Sequence, residues 1–228
     1  MNALILAHGE APIREALDET WPGWDRNVGL VVAADGGARL APALGVTIDV
    51  WVGDGDSLDP DELSALVASG VEVQRASPHK DESDTELSVR EALARGADGL
   101  VIVGGLGGLR IDHALANIGL LGMAAIEDRP ASLLDARSRI SLIRAPGADG
   151  GPVHRSLAGR VGDLVSLLPW GDGVAGITTS GLTYPLSDEP LPAGPARGLS
   201  NVRAGADAWV TVRRGLLLVV EAPATLFG

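Results

Sequence analysis

The chain lacks cysteine altogether, and only 3% of its 228 residues are aromatic. The absence of cysteine excludes disulfide bonds and thiolate metal sites, and it suits the reducing cytosol, so we expect a cytoplasmic protein. Basic residues are scarce as well, because 18 lysines and arginines stand against 30 aspartates and glutamates, for a net charge of −12. This acidic balance argues against binding to nucleic acid or to an anionic membrane.

Long apolar runs are also missing. The first ten residues lack the basic start of a signal peptide, and no segment approaches the length of a transmembrane helix. Short apolar runs instead alternate with helical patterns through the first half. The runs lie at 3–7, 30–34, 50–52, 71–73 and 100–103, and the helical patterns near 10–20, 37–44, 60–69, 84–95 and 112–126. This alternation predicts a Rossmann-like parallel sheet with helices on both faces over residues 1–147.

The second half has a different pattern. After a segment rich in proline and glycine at 145–152, the helical periodicity disappears. Short apolar runs then recur between Gly, Pro, Ser and Thr, at 164–168, 174–177, 208–212 and 216–220. Residues 152–228 are therefore expected to form a small antiparallel β-sandwich or barrel. The predicted fold class is an α/β domain followed by this all-β domain.

Two carboxylates follow the third apolar run, in the sequence Gly53-Asp54-Gly55-Asp56-Ser57. Side chains two residues apart on an extended backbone point the same way, so Asp54 and Asp56 can face one ion. Mg²⁺ commonly takes one or two protein carboxylates and completes its octahedron with water and substrate phosphate. The pattern thus indicates phosphate chemistry, and the alternative is an Asp/Gly turn with local hydrogen bonds.

A second acidic cluster follows at 80–86. Ser83 and Glu86 form a capping-box pattern, which predicts a helix that begins near Asp84. Asp84 would then lie in the first turn, where helix capping alone can explain a carboxylate. Capping does not explain Lys80, which is the sole lysine among 18 basic residues. Its flexible ammonium suits a phosphate oxygen.

A glycine-rich segment, 104–108, lies between a predicted buried strand and a predicted helix. Such a loop at a helix N-terminus exposes backbone N–H groups to an anion. The spacing matches neither a dinucleotide fingerprint nor a P-loop. Arg110 follows directly and can bind phosphate with two N–H groups, although a solvated surface arginine is equally compatible with the sequence.

Five motifs follow one another along the chain, namely Ala34-Asp35-Gly36-Gly37-Ala38, Gly53-Asp54-Gly55-Asp56-Ser57, Lys80-Asp81-Glu82-Ser83-Asp84, Arg110-Ile111-Asp112-His113 and Ser200-Asn201. Taken in this order, they resemble the motifs of the thiamine pyrophosphokinase (thiamin diphosphokinase) family. The match spans most of the chain. It implies an ATP- and Mg²⁺-dependent enzyme that transfers a pyrophosphoryl group to the hydroxyl of thiamine and releases AMP.

The resemblance also implies roles for individual residues. Asp54, Asp56 and Asp84 would hold Mg²⁺ on the ATP phosphates, with Asp81 close by and Lys80 on the substrate side. The nucleotide would be bound by Asp35, Gly36, Gly37, Gly107, Gly108, Arg110, Asp112 and His113. Ser200 and Asn201 would bind thiamine, with Ser200 reaching the pyrimidine from the partner subunit of a homodimer.

Three departures from the family pattern stand out. Gly55 replaces an expected apolar residue, and Leu109 separates Arg110 from the glycine pair. The run 215–220 lacks the aromatic residue that stacks on the thiamine ring in some relatives; Trp170 or Trp209 can substitute, or both can be core residues. Two other functions stay open, namely a pyrophosphokinase for another hydroxymethyl heterocycle, such as a pterin, and a non-catalytic nucleotide- or thiamine-binding regulator.

Overall fold

The computed structural model describes residues 1–226. The chain divides into two compact units, one comprising Met1–Ala136 and the other beginning at Arg137. The first unit contains parallel strands and helices, and the second contains antiparallel strands. This confirms the predicted fold class, an α/β sheet followed by antiparallel β structure. The division between the units lies ahead of the proline- and glycine-rich segment at 145–152.

Six strands form the sheet of the first unit, and each pairs with its neighbours in parallel. They are β1 (Asn2–Leu6), β2 (Val28–Ala34), β3 (Val50–Gly53), β4 (Glu72–Arg75), β5 (Gly99–Val103) and β6 (Ala131–Leu134). Their order is β4-β3-β2-β1-β5-β6, so the chain builds outward from β1 on one side and then returns to its other side at β5. Ligands of open parallel sheets bind at such a reversal, outside the carboxyl ends of the strands.

Five α-helices connect these strands. They are α1 (Arg14–Thr20), α2 (Ala41–Leu44), α3 (Pro60–Ala68), α4 (Asp84–Ala94) and α5 (Ile111–Leu120), with 3₁₀ turns at Asp35–Leu40 and Ala124–Ile126. As predicted, α4 begins at Asp84, and the Ser83 hydroxyl accepts the Glu86 N–H at 3.1 Å. Within residues 1–226, no helix is both long and apolar enough to cross a lipid bilayer.

The second unit consists of seven strands. They are β7 (Arg139–Ala145), β8 (Val153–Ser156), β9 (Leu164–Ser180), β10 (Glu189–Leu191), β11 (Asn201–Val202), β12 (Trp209–Val212) and β13 (Arg214–Ala222). The first half of β9 pairs with β13, and its second half pairs with β12. The two apolar runs predicted at 164–168 and 174–177 thus belong to one strand. Gly171 and Gly173, both with positive φ, lie where the pairing register shifts, so the strand bends there without a break.

Glu221 is a buried carboxylate in this second unit. It is 3% exposed, its Oε1 has no hydrogen-bond partner, and its Oε2 lies 3.8 Å from Arg139 Nη1. Burial raises the pKa of Glu221, although the charge of Arg139 opposes the shift. The folded state therefore keeps this proton to a higher pH than the unfolded state does. The resulting stability is present at acid pH and is lost as the pH rises through the folded pKa.

Glu221→Gln is expected to raise the free energy of unfolding at pH 8 by about 1–2 kcal/mol, because no buried charge then needs to form. At pH 4 the variant and the parent protein should be equally stable. Urea unfolding at the two pH values measures the difference. Asp172→Asn, which removes an exposed carboxylate of the same unit, is the control and should change little at either pH. Equal stability of Glu221→Gln and the parent at pH 8 would refute the claim that the buried Glu221 charge destabilises the fold.

Candidate functional site

A cavity of about 920 Å³ opens at the carboxyl edge of the first unit's sheet. Because all six strands are parallel, the segments that follow them meet at this edge. Five such segments line the cavity: His8 and Gly9 after β1, Asp35 after β2, Asp54 and Asp56 after β3, Lys80 after β4, and Gly104 and Gly105 after β5. The first turn of α4 adds Asp84. Residues distant in the sequence thus share one site.

Three carboxylates form a compact group in this cavity. Asp35, Asp54 and Asp84 each offer one oxygen, and these oxygens lie within 4.8 Å of one another. A set of hard anionic oxygens at this spacing suits a divalent cation. The family resemblance assigned Asp54, Asp56 and Asp84 to the metal and Asp35 to the nucleotide, whereas the compact group contains Asp35 and lacks Asp56.

Asp35 is fixed by its surroundings. It is 2% exposed and has a φ of +43°, a backbone conformation that non-glycine residues rarely adopt. Its carbonyl accepts Trp51 Nε1–H at 3.0 Å, and its Oδ2 accepts the Ser57 N–H at 3.1 Å. Its Oδ1 is buried and has no hydrogen-bond partner. Burial, opposed by the Ser57 hydrogen bonds, raises the pKa of the Asp35 carboxyl. A buried oxygen of this kind requires a proton or a cation.

The two other carboxylates share the ammonium of Lys80. Lys80 Nζ lies 2.7 Å from Asp84 Oδ1 and 3.4 Å from Asp54 Oδ2. Burial lowers the pKa of Lys80, but the hydrogen bond and charge of Asp84, together with Asp54, outweigh burial and leave the pKa raised. The hydrogen bond from the Asp56 N–H to Asp54 Oδ1 lowers the pKa of Asp54, and Lys80 lowers it further. The Lys80 ammonium thus neutralises part of the acidic group.

Asp56 and Asp81 lie outside the group of three. Asp56 lines the cavity but is exposed, and its Oδ1 accepts the Ser57 hydroxyl at 2.9 Å. Asp81 is exposed and is not among the residues that line this cavity. Their roles in catalysis stay predictions.

The glycine-rich loop, residues 104–108, connects β5 to α5 and forms another wall of the cavity. Gly104, Gly107 and Gly108 have positive φ. A Cβ on Gly104 would collide with the Ala7 carbonyl and lie 2.8 Å from Leu40 Cδ1. Only glycine therefore allows the loop to pass this close to the end of β1. The α5 side is held by Asn117, whose Nδ2 donates to the Gly105 carbonyl at 2.9 Å.

Arg110, Asp112 and His113 line the same cavity at the start of α5. Arg110 donates to Asp112 from both Nε, at 2.9 Å, and Nη2, at 2.5 Å. This pair is exposed, and the hydrogen bonds from Arg110 lower the pKa of Asp112. The neighbouring Leu109 is fully exposed. Arg110 therefore lies at the cavity, but its guanidinium is paired with Asp112.

Gly36 and Gly37 allow close packing next to the cavity. Both are buried in the 3₁₀ turn after β2, and neither is among the cavity-lining residues. A Cβ on Gly36 would lie 2.5 Å from the His8 ring, and one on Gly37 would collide with the Leu6 carbonyl. Their small size lets the turn pack against the end of β1. Contact with a nucleotide stays a prediction.

Ser200 and Asn201 belong to the second unit. Ser200 is exposed, has a φ of +57°, and donates its N–H to Ser166 Oγ at 3.0 Å. The buried Asn201 side chain accepts the Tyr184 N–H at 3.0 Å and donates to the Tyr184 carbonyl at 2.7 Å. Asn201 thus fixes the backbone of Tyr184, the sole tyrosine, whose side chain is exposed. Trp170 and Trp209 are half-buried, and their proposed contact with thiamine is untested.

Sequence reasoning missed Ser57 and Asn117 as parts of the site. Ser57 donates to two carboxylates, those of Asp35 and Asp56. Asn117 is a buried polar residue within an apolar helix. A polar residue on the buried face of a helix that follows a glycine-rich loop is the signal that identifies such a position.

Comparisons with known proteins match both units. Residues 24–131 match the model of the thiamin pyrophosphokinase catalytic domain. Residues 153–217 match the model of the thiamin pyrophosphokinase vitamin B1 binding domain. A curated relative, the thiamine pyrophosphokinase of Bacillus subtilis, is 24% identical over 201 residues, which cover 88% of this chain and 86% of the relative.

Solved structures share the fold. The thiamine pyrophosphokinase structure from Bacillus subtilis aligns with a TM-score of 0.80 at 23% identity and covers 98% of this chain and 99% of that chain. The structure from Geobacillus thermodenitrificans aligns with a TM-score of 0.78 at 23% identity and covers 97% of both chains. The Candida albicans structure aligns with a TM-score of 0.75 at 17% identity and covers 97% of this chain and 90% of that chain.

Proposed function

Since this chain belongs to the thiamin pyrophosphokinase family of enzymes, we propose that it transfers the pyrophosphoryl group of ATP to the hydroxyl of thiamine, giving thiamine diphosphate and AMP. The observation that carries the proposal is the convergence of three carboxylates and a glycine-rich loop on one cavity. The cysteine-free composition supports a cytoplasmic location as part of the same proposal.

The group formed by Asp35, Asp54 and Asp84 fits Mg²⁺. Its three oxygens are close together, and Asp35 Oδ1 is buried without a partner. We propose that these residues hold the ion, with Asp56 at the cavity wall as a further candidate ligand. When bound, Mg²⁺ supplies positive charge that stabilises the phosphate oxygens during transfer. Without such a cation, the acidic site would repel a polyphosphate.

The transfer itself joins the acceptor hydroxyl oxygen to the β-phosphorus of ATP. The bond between that phosphorus and the oxygen shared with the α-phosphate breaks, so AMP leaves. This type of reaction requires positioning and charge neutralisation from the protein. Lys80 supplies a fixed ammonium, because Asp84 and Asp54 hold it at the cavity wall. The loop 104–108 and the start of α5 supply backbone N–H groups for the phosphates.

Arg110 is proposed to bind the nucleotide phosphates by exchanging Asp112 for a phosphate oxygen. The Arg110–Asp112 pair is exposed, and such a pair contributes about 0–1 kcal/mol, so little free energy is lost when Arg110 turns to a phosphate, which can accept two of its N–H groups. Arg110→Ala should therefore weaken ATP binding about tenfold and change turnover less. Titration calorimetry with MgATP measures the change. Arg90→Ala removes another exposed, ion-paired arginine and is the control; equal affinities for all three proteins would place Arg110 outside the nucleotide site.

The acceptor is proposed to bind the second unit through Ser200 and Asn201. The match of residues 153–217 to a vitamin B1 binding domain supports this placement.

Since the resemblance places Ser200 on a substrate held mainly by the other subunit, we expect a two-fold homodimer. Light scattering at assay concentration should give twice the mass of the chain. A fully active monomer would refute the proposed assembly.

A panel of acceptor alcohols tests the proposed function. Thiamine, a hydroxymethyl pterin and a simple primary alcohol are each incubated with ATP and Mg²⁺, and AMP formation is measured. We expect AMP to form with thiamine and not with the other two. AMP formed with the pterin alone would identify the other pyrophosphokinase, and ATP binding without AMP formation would identify a non-catalytic binder.

A further inference from the structure

Asn117 is a buried polar residue that faces the candidate site. It lies on α5 between Ala114 and Leu120, and these three residues, spaced three apart, are the buried positions of the helix. Asn117 also lines the cavity, although only 8% of the residue is exposed. Asparagine is a poor helix former, and its amide loses hydration when buried. An apolar side chain at this position would favour the helix, so the asparagine needs another explanation.

The side chain of Asn117 holds the glycine-rich loop. Its Nδ2 donates to the Gly105 carbonyl at 2.9 Å. A peptide group is planar, and its N–H points away from its C=O. The hydrogen bond to the Gly105 carbonyl therefore orients the whole Gly105–Leu106 peptide, including the Leu106 N–H. In a loop rich in glycine, many other orientations are accessible to the free chain.

The loop is held at two further places. A Cβ on Gly105 would lie 2.7 Å from Leu133 Cδ2, so this residue packs directly on the sheet. On the β1 side, the Glu10 N–H donates to the Leu106 carbonyl at 3.3 Å. Asn117 adds the contact from α5. Loss of this contact frees the loop on the side where the helix begins.

We propose that Asn117 is a positioning residue for the nucleotide, acting through the Gly105 carbonyl to fix the phosphate-facing conformation of residues 104–108. The inference rests on the proposed function for the identity of the nucleotide. It predicts a specific pattern of effects: ATP binding depends on Asn117, whereas acceptor binding does not.

Asn117→Leu removes the donor and keeps the size of the side chain. Asn117→Ser, which is too short to reach Gly105, is a second variant in case leucine perturbs folding. Thr179→Val is the matched control, since Thr179 is also buried and its hydroxyl accepts the Leu186 N–H at 2.8 Å, in the second unit. Calorimetry with MgATP, steady-state kinetics for both substrates and amide hydrogen exchange of residues 104–110 are measured for all four proteins.

Both Asn117 variants should bind ATP about tenfold more weakly, with the KM for thiamine within about twofold of the parent value. Amide exchange in residues 104–110 should be faster in both variants and unchanged in Thr179→Val. Parent-like ATP affinity or parent-like exchange in the folded variants would overturn the inference. A parent protein that binds ATP but makes no thiamine diphosphate overturns the proposed function alone, whereas one that binds no ATP overturns both.

Discussion

Asp54→Asn is expected to reduce turnover about a thousandfold, because a metal ion that stabilises transferring phosphate contributes several kcal/mol to catalysis. Asp54 is one of three carboxylates whose oxygens lie within 4.8 Å of each other. The substitution keeps the size of the side chain and removes one charge. Turnover at saturating Mg²⁺ and at several lower concentrations measures the effect.

The fold should survive this substitution. Removing one of several like charges relieves repulsion, and Lys80 keeps its 2.7 Å contact with Asp84. Circular dichroism and the melting temperature should therefore match those of the parent. Asp61→Asn, at an exposed position in the first turn of α3, is the control for the loss of a carboxylate. Near-normal turnover of Asp54→Asn at saturating Mg²⁺ would remove Asp54 from the metal site.

Lys80→Ala is expected to lower turnover at least about a hundredfold, while ATP affinity falls much less. If the ammonium neutralises charge that grows on the reacting phosphate, its loss is confined to the transition state. The Lys80 side chain is 13% exposed and contacts two carboxylates, so it differs from an ordinary surface lysine. Turnover and the dissociation constant of MgATP are measured for the variant and the parent.

A second readout separates this role from a purely structural one. The Lys80 ammonium occupies oxygens of Asp54 and Asp84 that a divalent cation would also use. Lys80→Ala should therefore bind Mg²⁺ at least as tightly as the parent, even though it turns over slowly. A nearly silent substitution, as for an exposed pair worth about 0–1 kcal/mol, would contradict the proposed role of Lys80.

The position of the cavity was predictable because parallel strands end at one edge of a sheet. The apolar run before Asp54 and the capping pattern at Ser83 placed Asp54 after a strand and Asp84 at the start of a helix, and the family resemblance assigned both to one metal ion, although thirty residues separate them. The first-half strands β1 to β5 were likewise visible as apolar runs. Strand β6 was missed, because its sequence, Ala131-Ser132-Leu133-Leu134, contains a serine and does not form an uninterrupted apolar run.

The detailed geometry was not predictable from the sequence. Asp35 joins the carboxylate group because its backbone takes a left-handed conformation and Trp51 binds its carbonyl, and neither is visible in a local pattern. The contact between Asn117 and Gly105 joins a helix to the preceding loop through a single side-chain bond. The continuous strand β9 bends at two glycines, whereas the sequence showed only two separate apolar runs, at 164–168 and 174–177. Each case depends on tertiary contacts.

The identity of the products tests pyrophosphoryl transfer by this protein. The full chain is incubated with ATP, thiamine and Mg²⁺, and the phosphorus compounds are quantified by ³¹P NMR over several turnovers. We expect AMP and thiamine diphosphate to form in equal amounts, and neither to form when Mg²⁺ is chelated. ADP with thiamine monophosphate, or AMP formation that does not depend on thiamine, would contradict pyrophosphoryl transfer by this protein.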